Sequence, residues 1–462
     1  MKVYGIIGWK NSGKTSLMER LVAEITARGL SVSTVKHVHH DVDLDQPGKD
    51  TYRHRAAGAR EVVLASAQRF ALLHEHRGSE PALTDILHRL APVDLVLVEG
   101  YKRDPHPKIE VFRAETGHAL IQPSDPTTRA VATDTTLPHL TVPVLDLNDT
   151  GTIADFILGQ TGLHPAIFDT VVIVDWSAAS TISPDRPVKD AIWIGVTRDD
   201  TPTTTYHRTR HAAEQHLTAL LDAQTAAGRR TLLGFDFALA YPTGFAQALT
   251  GHPDPRAVWH WLHQHITDGP DNANNRFAVA DRINARFQAA GPLWGPFWGR
   301  PATQPHPHLS TTKDIDYPSL GLKERRMVEG LIPATQPVWK LYTTGAVGSQ
   351  SLMGLPLIHR LAQRPATYVW PFDAAPPPTV ISQTATAQTV IAEVYPSLLA
   401  TAVKSDPSPI KDEAQVRLLS RALWRLSRHG KLAPLFETPA IAAEEGWILG
   451  AGHMGLLALA LE

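Results

Sequence analysis

The residues with the clearest chemical potential form an unbroken motif near the start of the chain. Residues 8–15 read Gly-Trp-Lys-Asn-Ser-Gly-Lys-Thr, which matches G-x-x-x-x-G-K-[ST]. In such a loop, backbone N–H groups and the start of the next helix present partial positive charge to phosphates, and Lys14 adds a point charge. Thr15 offers a hydroxyl to Mg²⁺. The motif predicts a phosphate-binding site made of Gly8, Asn11, Ser12, Gly13, Lys14, Thr15 and Ser16.

A second acidic group is needed beside this loop, because Mg²⁺ rarely rests on one hydroxyl and phosphates alone. Glu99 is the first candidate, since it ends the apolar run of residues 94–99 and is followed by Gly100. The carboxyl end of such a strand lies beside the phosphate loop in a parallel sheet. The sequence therefore predicts Thr15 and Glu99 on the metal side of the site.

The segment of residues 36–50 concentrates imidazoles, carboxylates and lysines in one loop. It could bind metal, anions or both, and a solvated surface explains the same composition. Its position after the second predicted strand favours a functional role. The residues of interest are His37, Asp45, Lys49 and Asp50, and the contacts of the pair His39 and His40 stay open.

Carboxylates also end apolar runs in the second half of the chain. Asp175, Asp236 and Glu393 follow predicted strands, and Asp412 opens a predicted helix that continues through residue 426. Acids in this arrangement can hold paired Mg²⁺ or Mn²⁺ ions for phosphodiester hydrolysis. Taken singly, acids in such places are more often helix N-caps, turn formers or solvated carboxylates, and Asp412 is the weakest member because an aspartate before a helix is a favoured cap. We therefore treat a catalytic site made of these four acids as a hypothesis.

Two other features of the second half have simpler explanations. Residues 344–351 carry small residues and hydroxyls, but they lack the G-x-S-x-G spacing and are expected to form a polar loop. A group of cations and tryptophans could meet a phosphate-bearing, stacked substrate. Buried tryptophans with surface arginines are the preferred interpretation of Arg300, Arg325, Arg326, Lys340, Trp298 and Trp339.

Hydrophobic patterning indicates the elements that position these residues. β-Branched runs alternate with amphipathic stretches up to about residue 160, which is typical of a parallel sheet covered by helices. We expect strands over 3–8, 32–36, 62–65, 95–99, 109–112 and 142–145, and helices over 14–27, 49–57, 82–90 and 152–158. Beyond a Gly- and Pro-containing break, strands over 170–175 and 231–236 and a helix over 212–226 indicate another α/β unit.

Composition excludes several classes of protein. The 462 residues contain no cysteine, which excludes disulfide frameworks, thiolate metal sites and a cysteine nucleophile. A formal net charge of -2 gives no global basic field for nucleic acid or membrane surfaces. No signal peptide or membrane span is expected, so we predict a cytoplasmic protein without a membrane partner. The predicted domains are residues 1–160 and 169–462, with a linker at 161–168.

Several separate motifs of the first 160 residues resemble one known family. Residues 8–15, 35–40, 45–50, 57–59, 98–102 and 108–113 are similar in order and spacing to the molybdopterin-guanine dinucleotide biosynthesis adaptor, or MobB, family. The resemblance implies a P-loop fold that binds GTP with Mg²⁺, hydrolyses it weakly and is usually dimeric through this domain.

The same resemblance implies partners and residue roles. The family assists the molybdenum cofactor guanylyltransferase that attaches GMP to molybdopterin, so molybdopterin is a possible ligand. By carry-over, Gly13, Lys14 and Thr15 bind phosphate and Mg²⁺, Glu99 takes the acidic role, and Lys102 is counted with the cofactor-binding residues. The sequence has no Asn-Lys-x-Asp motif, so the preference for guanine depends on the resemblance alone.

The second half resembles an uncharacterised group of predicted nucleases with a ribonuclease-H-like fold. The likeness lies in strand-end aspartates followed by a Glu-x-x-Pro motif at Glu393 and a late aspartate, although Trp176 stands where a small residue is expected. It implies a hydrolase that uses Mg²⁺ or Mn²⁺, with nucleic acid a partner of this half alone. Two alternatives stay open: a non-catalytic GTP and pterin carrier with a C-terminal docking module, or a nucleotide-gated nuclease.

Overall fold

The fold is described from a computed structural model of the full chain. It describes residues 1–38, 43, 45–76, 78, 80–163, 167–287, 295–332, 334–373 and 388–462. The chain divides into two compact units, Met1–His164 and Pro165–Glu462. This division lies inside the linker predicted at 161–168. The pair His39 and His40 lies outside the described residues.

The first unit is built around a parallel six-stranded sheet with the strand order β2-β5-β1-β6-β7-β8. Its strands and its helices are β1 Lys2–Ile7, β2 Val32–Lys36, β3 Glu61–Ala65, β4 Phe70–His74, β5 Leu95–Glu99, β6 Lys108–Phe112, β7 Thr128–Thr133, β8 Val144–Asp146, α1 Lys14–Ala27, α2 Asp50–Ala56, α3 Leu83–Leu87 and α4 Thr150–Thr161. The strands β3 and β4 stand apart as a two-stranded antiparallel sheet.

Burial explains why the central strands are continuous apolar runs. Every residue of β5 is buried, because both faces of a parallel sheet are covered. On one face, α1 buries Leu17, Leu21 and Ile25, whose spacing of four residues keeps them on one side of the helix. The predicted helix over 14–27 is confirmed without a shift at either end.

One sequence prediction for the first unit is wrong. The strand expected over 62–65 forms, but it does not join the parallel sheet. It pairs antiparallel with Phe70–His74 in a hairpin, with Val63 opposite Leu72. A short connection between strands allows this antiparallel pairing, whereas a parallel pairing needs a long crossover. The strand Thr128–Thr133 of the main sheet was not predicted at all.

The second unit contains another six-stranded sheet, with the order β11-β10-β9-β12-β14-β13. Its strands are β9 Thr170–Asp175, β10 Ile192–Arg198, β11 Thr201–His207, β12 Thr231–Phe235, β13 Thr367–Val369 and β14 Thr389–Glu393. Its helices are α5 Arg210–Ala226, α6 Phe245–Thr250, α7 Pro255–His265, α8 Arg276–Arg286, α9 Met327–Leu331, α10 Val347–Ala362, α11 Ala400–Ser405, α12 Lys411–Arg428, α13 Ala442–Glu445 and α14 Met454–Leu459.

The strands β9, β12, β14 and β13 run parallel, and β10 is antiparallel to β9 and to β11. Alternate residues of β9 enter different cores: Val172 and Val174 pack in one, and Val171 and Ile173 in the other. This alternation follows from the two-residue period of a strand. The sheet is therefore sandwiched between two apolar layers, and the carboxyl ends of its central strands meet at one edge.

Within the described part of the chain, no helix has the length and apolar character needed to cross a bilayer.

Candidate functional site

The phosphate loop of the first unit connects the carboxyl end of β1 to the start of α1. Gly13 adopts a left-handed conformation (φ 95°) directly before the helix. At Gly8 (φ 148°), an added Cβ would lie 2.4 Å from the carbonyl oxygen of Val111 and 2.7 Å from Ser12 Oγ. Glycine is therefore required at Gly8, because both the backbone angle and the packing exclude a side chain.

The Ser12 hydroxyl is buried and has no hydrogen-bond partner among the described residues. Buried hydroxyls are normally paired, so an orphaned one inside a phosphate loop indicates a place for a ligand oxygen. Asn11 and Ser16, which the sequence also assigned to this site, are exposed at the loop and on the first turn of α1.

A cation and an acid from different elements meet at the loop. Thr15 Oγ1 lies 3.4 Å from Glu99 Oε1, and Lys36 Nζ lies 3.3 Å from the same oxygen. Lys14 Nζ donates a hydrogen bond to the carbonyl oxygen of Trp9 at 2.5 Å. Burial lowers the pKa of Lys14, and the charges of Lys102 and Lys36 act in the same direction while Glu99 opposes them.

The hydroxyl of Thr15 and the carboxylate of Glu99 are a suitable donor set for Mg²⁺, which prefers oxygen ligands. Glu99 is also buried, so water competes weakly for its charge. The residues present therefore fit a magnesium ion beside bound phosphates.

Arg113 is a part of this site that sequence reasoning did not single out. It follows β6, which pairs with β1 on the side opposite to β5. A Cβ built on Gly13 would lie 3.4 Å from Arg113 Nε, so the guanidinium packs against the phosphate loop. Its Nη1 lies 3.1 Å from Asp134 Oδ2 and 3.6 Å from Glu115 Oε1. The signal available in sequence was its place at the end of the strand that neighbours β1.

Lys102 reaches the loop through an aromatic contact. Its Nζ lies 4.1 Å from the ring centroid of Trp9, and burial lowers the pKa of Lys102 against the opposing charge of Glu110. Trp9 is held in place, because its indole N–H donates to the carbonyl oxygen of Ala119 at 2.7 Å and its ring stacks on His118. The structure therefore places Lys102 beside the loop, together with Lys14 and Lys36.

In the loop after β2, one predicted residue contacts the site and another forms hydrogen bonds within the loop itself. The backbone N–H of His37 donates to the carbonyl oxygen of Glu99 at 2.9 Å, and its imidazole lies 2.6 Å from Glu80 Oε1. Asp45 instead accepts hydrogen bonds from Thr51 and Arg55. His37 thus adjoins the site, whereas the carboxylate of Asp45 is engaged in holding the loop together.

The two remaining predicted residues of this segment are at the start of α2. Lys49 is the residue before the helix and Asp50 is its first residue. Both are exposed, and Asp50 has the favourable place of an acid in the first turn.

In the second unit, the structure brings three of the four predicted acids together. The carboxyl groups of Asp175 and Asp236 are within hydrogen-bonding reach, and Asp412 interacts electrostatically with both. Burial, followed by the charges of Asp236 and Asp412, raises the pKa of Asp175 well above its usual range. Burial also raises the pKa of Asp236 to about 7 and, to a smaller extent, that of Asp412.

Backbone donors orient two of these carboxylates. The N–H of Trp176 donates to Asp236 Oδ1 at 2.8 Å, and the N–H of Asp190 donates to Asp412 Oδ2 at 2.7 Å. Asp190 also adds its own charge near Asp175 and Asp412. Sequence reasoning missed Asp190, because it lies outside any strand end. We define Asp175, Asp236 and Asp412 as the aspartate cluster.

The assignment of Glu393 to the same carboxylate site needs correction. Arg326 binds both of its carboxylate oxygens, with Nη1 2.7 Å from Oε2 and Nη2 2.6 Å from Oε1. The N–H of Leu239 donates to the same carboxylate at 3.1 Å. Glu393 is thus neutralised by a buried arginine, and it stands outside the aspartate cluster as an ion-pair partner.

Among the described residues, no group of three or more histidine, aspartate or glutamate side chains has the arrangement of a metal site. The four-acid metal centre expected from the sequence is therefore not present in that form. What the second unit holds is a pair of carboxyl groups within hydrogen-bonding reach of each other, with a third close by, all oxygen donors of the kind that divalent cations prefer.

The hydroxyl, tryptophan and arginine residues noted in the second half are buried or hydrogen-bonded within the protein. The polar loop expected over 344–351 is wrong from residue 347 onward, because α10 begins there. Ser349 is buried in the first turn of α10 and donates to the carbonyl oxygen of Leu341. Trp339 is fully buried, as expected, and Arg300 donates to the carbonyl oxygen of Leu309. Arg326 departs from the prediction, because it is buried with the carboxylates of Glu329 and Glu393 and does not lie at the surface.

Comparison with known proteins finds a family match in the first unit. Residues 3–134 match the family model of MobB, described as "Molybdopterin guanine dinucleotide synthesis protein B". The molybdopterin-guanine dinucleotide biosynthesis adapter protein of Escherichia coli K12 is 41% identical over 154 residues, 32% of this chain and 87% of that protein. The adapter of Haemophilus influenzae is 41% identical over 156 residues, which cover 33% of this chain and 85% of that protein.

Among solved structures, the X-ray crystal structure of a MobB protein homologue from Bacillus stearothermophilus covers 35% of this chain and 98% of its own. Its sequence identity is 30% and its TM-score is 0.27. The family match lies entirely within the first unit.

Proposed function

The chain belongs to the MobB family of molybdopterin guanine dinucleotide synthesis proteins, and from this premise we propose that its first unit is a GTP-binding adapter with weak GTPase activity. The observation that carries the proposal is the meeting of Lys14, Thr15 and Glu99 at the carboxyl edge of a parallel sheet. Its partners would be molybdopterin and the molybdenum cofactor guanylyltransferase, in the cytoplasm.

Catalysis by such a site depends on positioning and electrostatics, without a covalent intermediate. Loop N–H groups and Lys14 hold the phosphates, and Thr15 and Glu99 would hold Mg²⁺, which neutralises charge on the phosphate oxygens when bound. Arg113 stands on the other side of Gly13, where it can balance negative charge that develops during hydrolysis.

Titration calorimetry tests this proposal. Lys14→Ala should weaken the binding of Mg·GTP at least tenfold, because hydrogen bonds to charged groups contribute about 1.5–3 kcal/mol. Lys2→Ala is the matched control, since Lys2 is exposed at the start of β1. Mg·ATP should bind more weakly than Mg·GTP. Equal affinity of the native chain and Lys14→Ala would refute the assignment.

The adapter role has its own readout. Purified full-length chain should increase the formation of molybdopterin guanine dinucleotide by a molybdenum cofactor guanylyltransferase, and Lys14→Ala should reduce that increase. Retention of the full increase by Lys14→Ala would separate the adapter role from GTP binding and favour a carrier that does not depend on the nucleotide.

The hairpin of β3 and β4 supports a homodimer through the first unit. Val63, Phe70 and Leu72 share one face of the hairpin and are 57%, 73% and 44% exposed. Large apolar side chains grouped on a surface mark interaction sites, and a two-stranded sheet has edges that pair readily. A second copy of the same hairpin would offer the same apolar surface, which suits a two-fold interface.

For the second unit we propose a metal-dependent phosphodiester hydrolase with a ribonuclease-H-like arrangement. The support is the sheet order, in which parallel β9, β12 and β14 lie side by side and β10 is antiparallel, with the aspartate cluster at the carboxyl edge. Asp175 and Asp236 would hold the cation, which would supply an activated water when bound, and Asp412 would add negative charge beside them. Glu393 would hold Arg326 in position and would not be a metal ligand.

A hydrolysis screen with the full chain tests this second proposal. Mg²⁺ or Mn²⁺ is supplied with DNA, RNA, nucleotides and bis-p-nitrophenyl phosphate, and Asp236→Asn is purified in parallel. Metal-dependent turnover that is lost in Asp236→Asn supports the hydrolase. Failure of every substrate with a well-folded preparation would favour the docking module, and turnover that changes with bound GTP would favour a nucleotide-gated nuclease.

A further inference from the structure

A cleft of about 500 Å³ opens beside Asp236 in the second unit. This volume falls in the range of small-molecule sites in proteins. The cleft lies at the carboxyl edge of the sheet, where ligands of open α/β sheets bind. We call it the Asp236 cleft. Besides Asp236, its lining contains lysines, side-chain amides and a buried arginine network.

The floor of the cleft is a closed ion-pair network. Arg326 binds Glu393 through two short contacts and Glu329 through a third of 2.9 Å. Burial raises the pKa of Glu329, opposed by Arg326. The network sets one guanidinium against two carboxylates, so its hydrogen bonds give the cleft a fixed shape but it contributes no net positive charge. Positive charge for an anion must come from other residues.

Two lysines bring positive charge to the walls. Lys340 Nζ donates to the carbonyl oxygen of Thr344 at 2.6 Å, so its ammonium group is held by a neutral acceptor. Lys411 is the exposed first residue of α12, next to Asp412 of the aspartate cluster. The first turn of α12 therefore presents a cation to the cleft and an acid to the cluster.

The backbone that carries Lys340 is fixed by close packing. A Cβ added to Gly348 would lie 2.3 Å from the carbonyl oxygen of Val338 and 2.7 Å from that of Lys340. The N–H of Gly348 donates to the carbonyl oxygen of Lys340 at 2.9 Å. The start of α10 is thus in contact with this segment, which positions the lysine before any ligand arrives.

Neutral amides complete the walls. Gln350 Nε2 donates to the carbonyl oxygen of Trp176 at 2.6 Å, which ties the cleft to the strand end that carries Asp175. Gln336 and Gln415 also line the cleft. Amides and ammonium groups together suit the oxygens of a small anion, and they add no charge that would oppose one.

We propose that the Asp236 cleft binds small phosphodiesters of up to mononucleotide size, such as cyclic mononucleotides, with the phosphate between Lys340 and Lys411. This names the substrate class of the hydrolase proposed above and rests on that proposal. Its polar lining contrasts with single-strand binding grooves, which track several nucleotides with cationic and aromatic side chains. Of the described lining residues one is aromatic, Tyr395, and its hydroxyl is bonded to the carbonyl oxygen of Ala334.

The test measures ligand binding by calorimetry in the full chain carrying Lys14→Ala, so that the phosphate loop contributes little. The probes are cytidine 2′,3′-cyclic monophosphate and a 20-nucleotide oligothymidylate. The monophosphate should bind, and Lys340→Ala or Lys411→Ala should each weaken it about tenfold. Lys340→Arg should keep most of the affinity, and Lys404→Ala, at an exposed lysine of α11, should keep all of it.

The proposal would be overturned if the monophosphate does not bind, or if both lysine variants leave its binding unchanged. It would also be overturned if oligothymidylate binds at least 100-fold tighter than the monophosphate and this binding depends on Lys340. The screen of the Asp236→Asn variant separates the two proposals. Lysine-dependent binding without metal-dependent turnover would refute the hydrolase alone, and turnover of polymers without binding of the monophosphate would refute the substrate class alone.

Discussion

Thr15 Oγ1 and Glu99 Oε1 lie 3.4 Å apart, although 84 residues separate them in the chain. The parallel pairing of β1 with β5 produces this approach, because Ile6 stands opposite Glu99 at the carboxyl edge of the sheet. A hydroxyl from the helix that follows β1 therefore meets a carboxylate from the neighbouring strand. This pair is the magnesium site that we propose for the first unit.

Glu99→Gln should weaken GTP binding only when magnesium is present. The amide keeps the shape of the side chain but loses the charge that a divalent cation needs, so we expect a loss of about tenfold, or ~1.4 kcal/mol. Calorimetry with Mg²⁺ and with EDTA measures the difference. Glu19→Gln, at an exposed glutamate of α1, is the control. An equal loss in EDTA would show that Glu99 supports the fold of the loop and does not hold a metal.

Arg113→Ala should slow GTP hydrolysis more than it weakens GTP binding. The guanidinium packs against Gly13, where it can stabilise charge on the phosphates. We expect kcat to fall about tenfold, since a hydrogen bond to a charged group contributes ~1.5 kcal/mol or more. Single-turnover hydrolysis separates the two steps, and Arg103→Ala, at an exposed arginine, is the control.

Replacing Asp134, the ion-pair partner of Arg113, should not slow GTP hydrolysis. Asp134 Oδ2 lies 3.1 Å from Arg113 Nη1 and competes with phosphate for the guanidinium. Asp134→Asn should therefore keep or raise the rate, whereas a fall equal to that of Arg113→Ala would indicate that the ion pair only stabilises the loop.

Local patterns were enough to predict the phosphate loop and the elements around it. The helix after the loop and the strand Thr170–Asp175 have the predicted bounds, because each is a continuous periodic or apolar run. The approach of Asp175 to Asp236 was also predictable, since neighbouring parallel strands bring their carboxyl ends together.

Other features depend on partners that are distant in sequence. Glu393 has the pattern of a strand-end ligand, but Arg326, 67 residues earlier, binds its carboxylate. No local signal distinguishes an acid that waits for a metal from one that is paired with a buried arginine. In the same way, the strand Glu61–Ala65 is correct as an element, and only its pairing with Phe70–His74 removes it from the main sheet.

Phe70→Asp should convert a dimer of the full chain into a monomer. The ring is 73% exposed on the hairpin, so a charge there costs little in an isolated chain but is unfavourable in an apolar interface. Size-exclusion chromatography with light scattering gives the mass directly. Leu331→Asp, at an exposed leucine of α9 in the second unit, should leave the dimer intact. A native chain that is monomeric at micromolar concentration would contradict the predicted dimer.

The stability of the second unit should fall as the pH drops from about 6.5 towards 4, partly because of His207. Burial and the neighbouring His216 lower the pKa of His207 to about 4, and its Nε2 lies 3.0 Å from Thr205 Oγ1. Between the unfolded and folded values the unfolded chain binds the additional proton, so stability rises with pH across this window and is flat above it. His207→Gln should reduce the loss of thermal stability at pH 5 relative to pH 7 by about 2–4 °C. Differential scanning calorimetry at the two pH values checks this, and His252→Gln, at an exposed histidine, should reproduce the native difference. An unchanged difference in His207→Gln would assign the acid sensitivity to other groups.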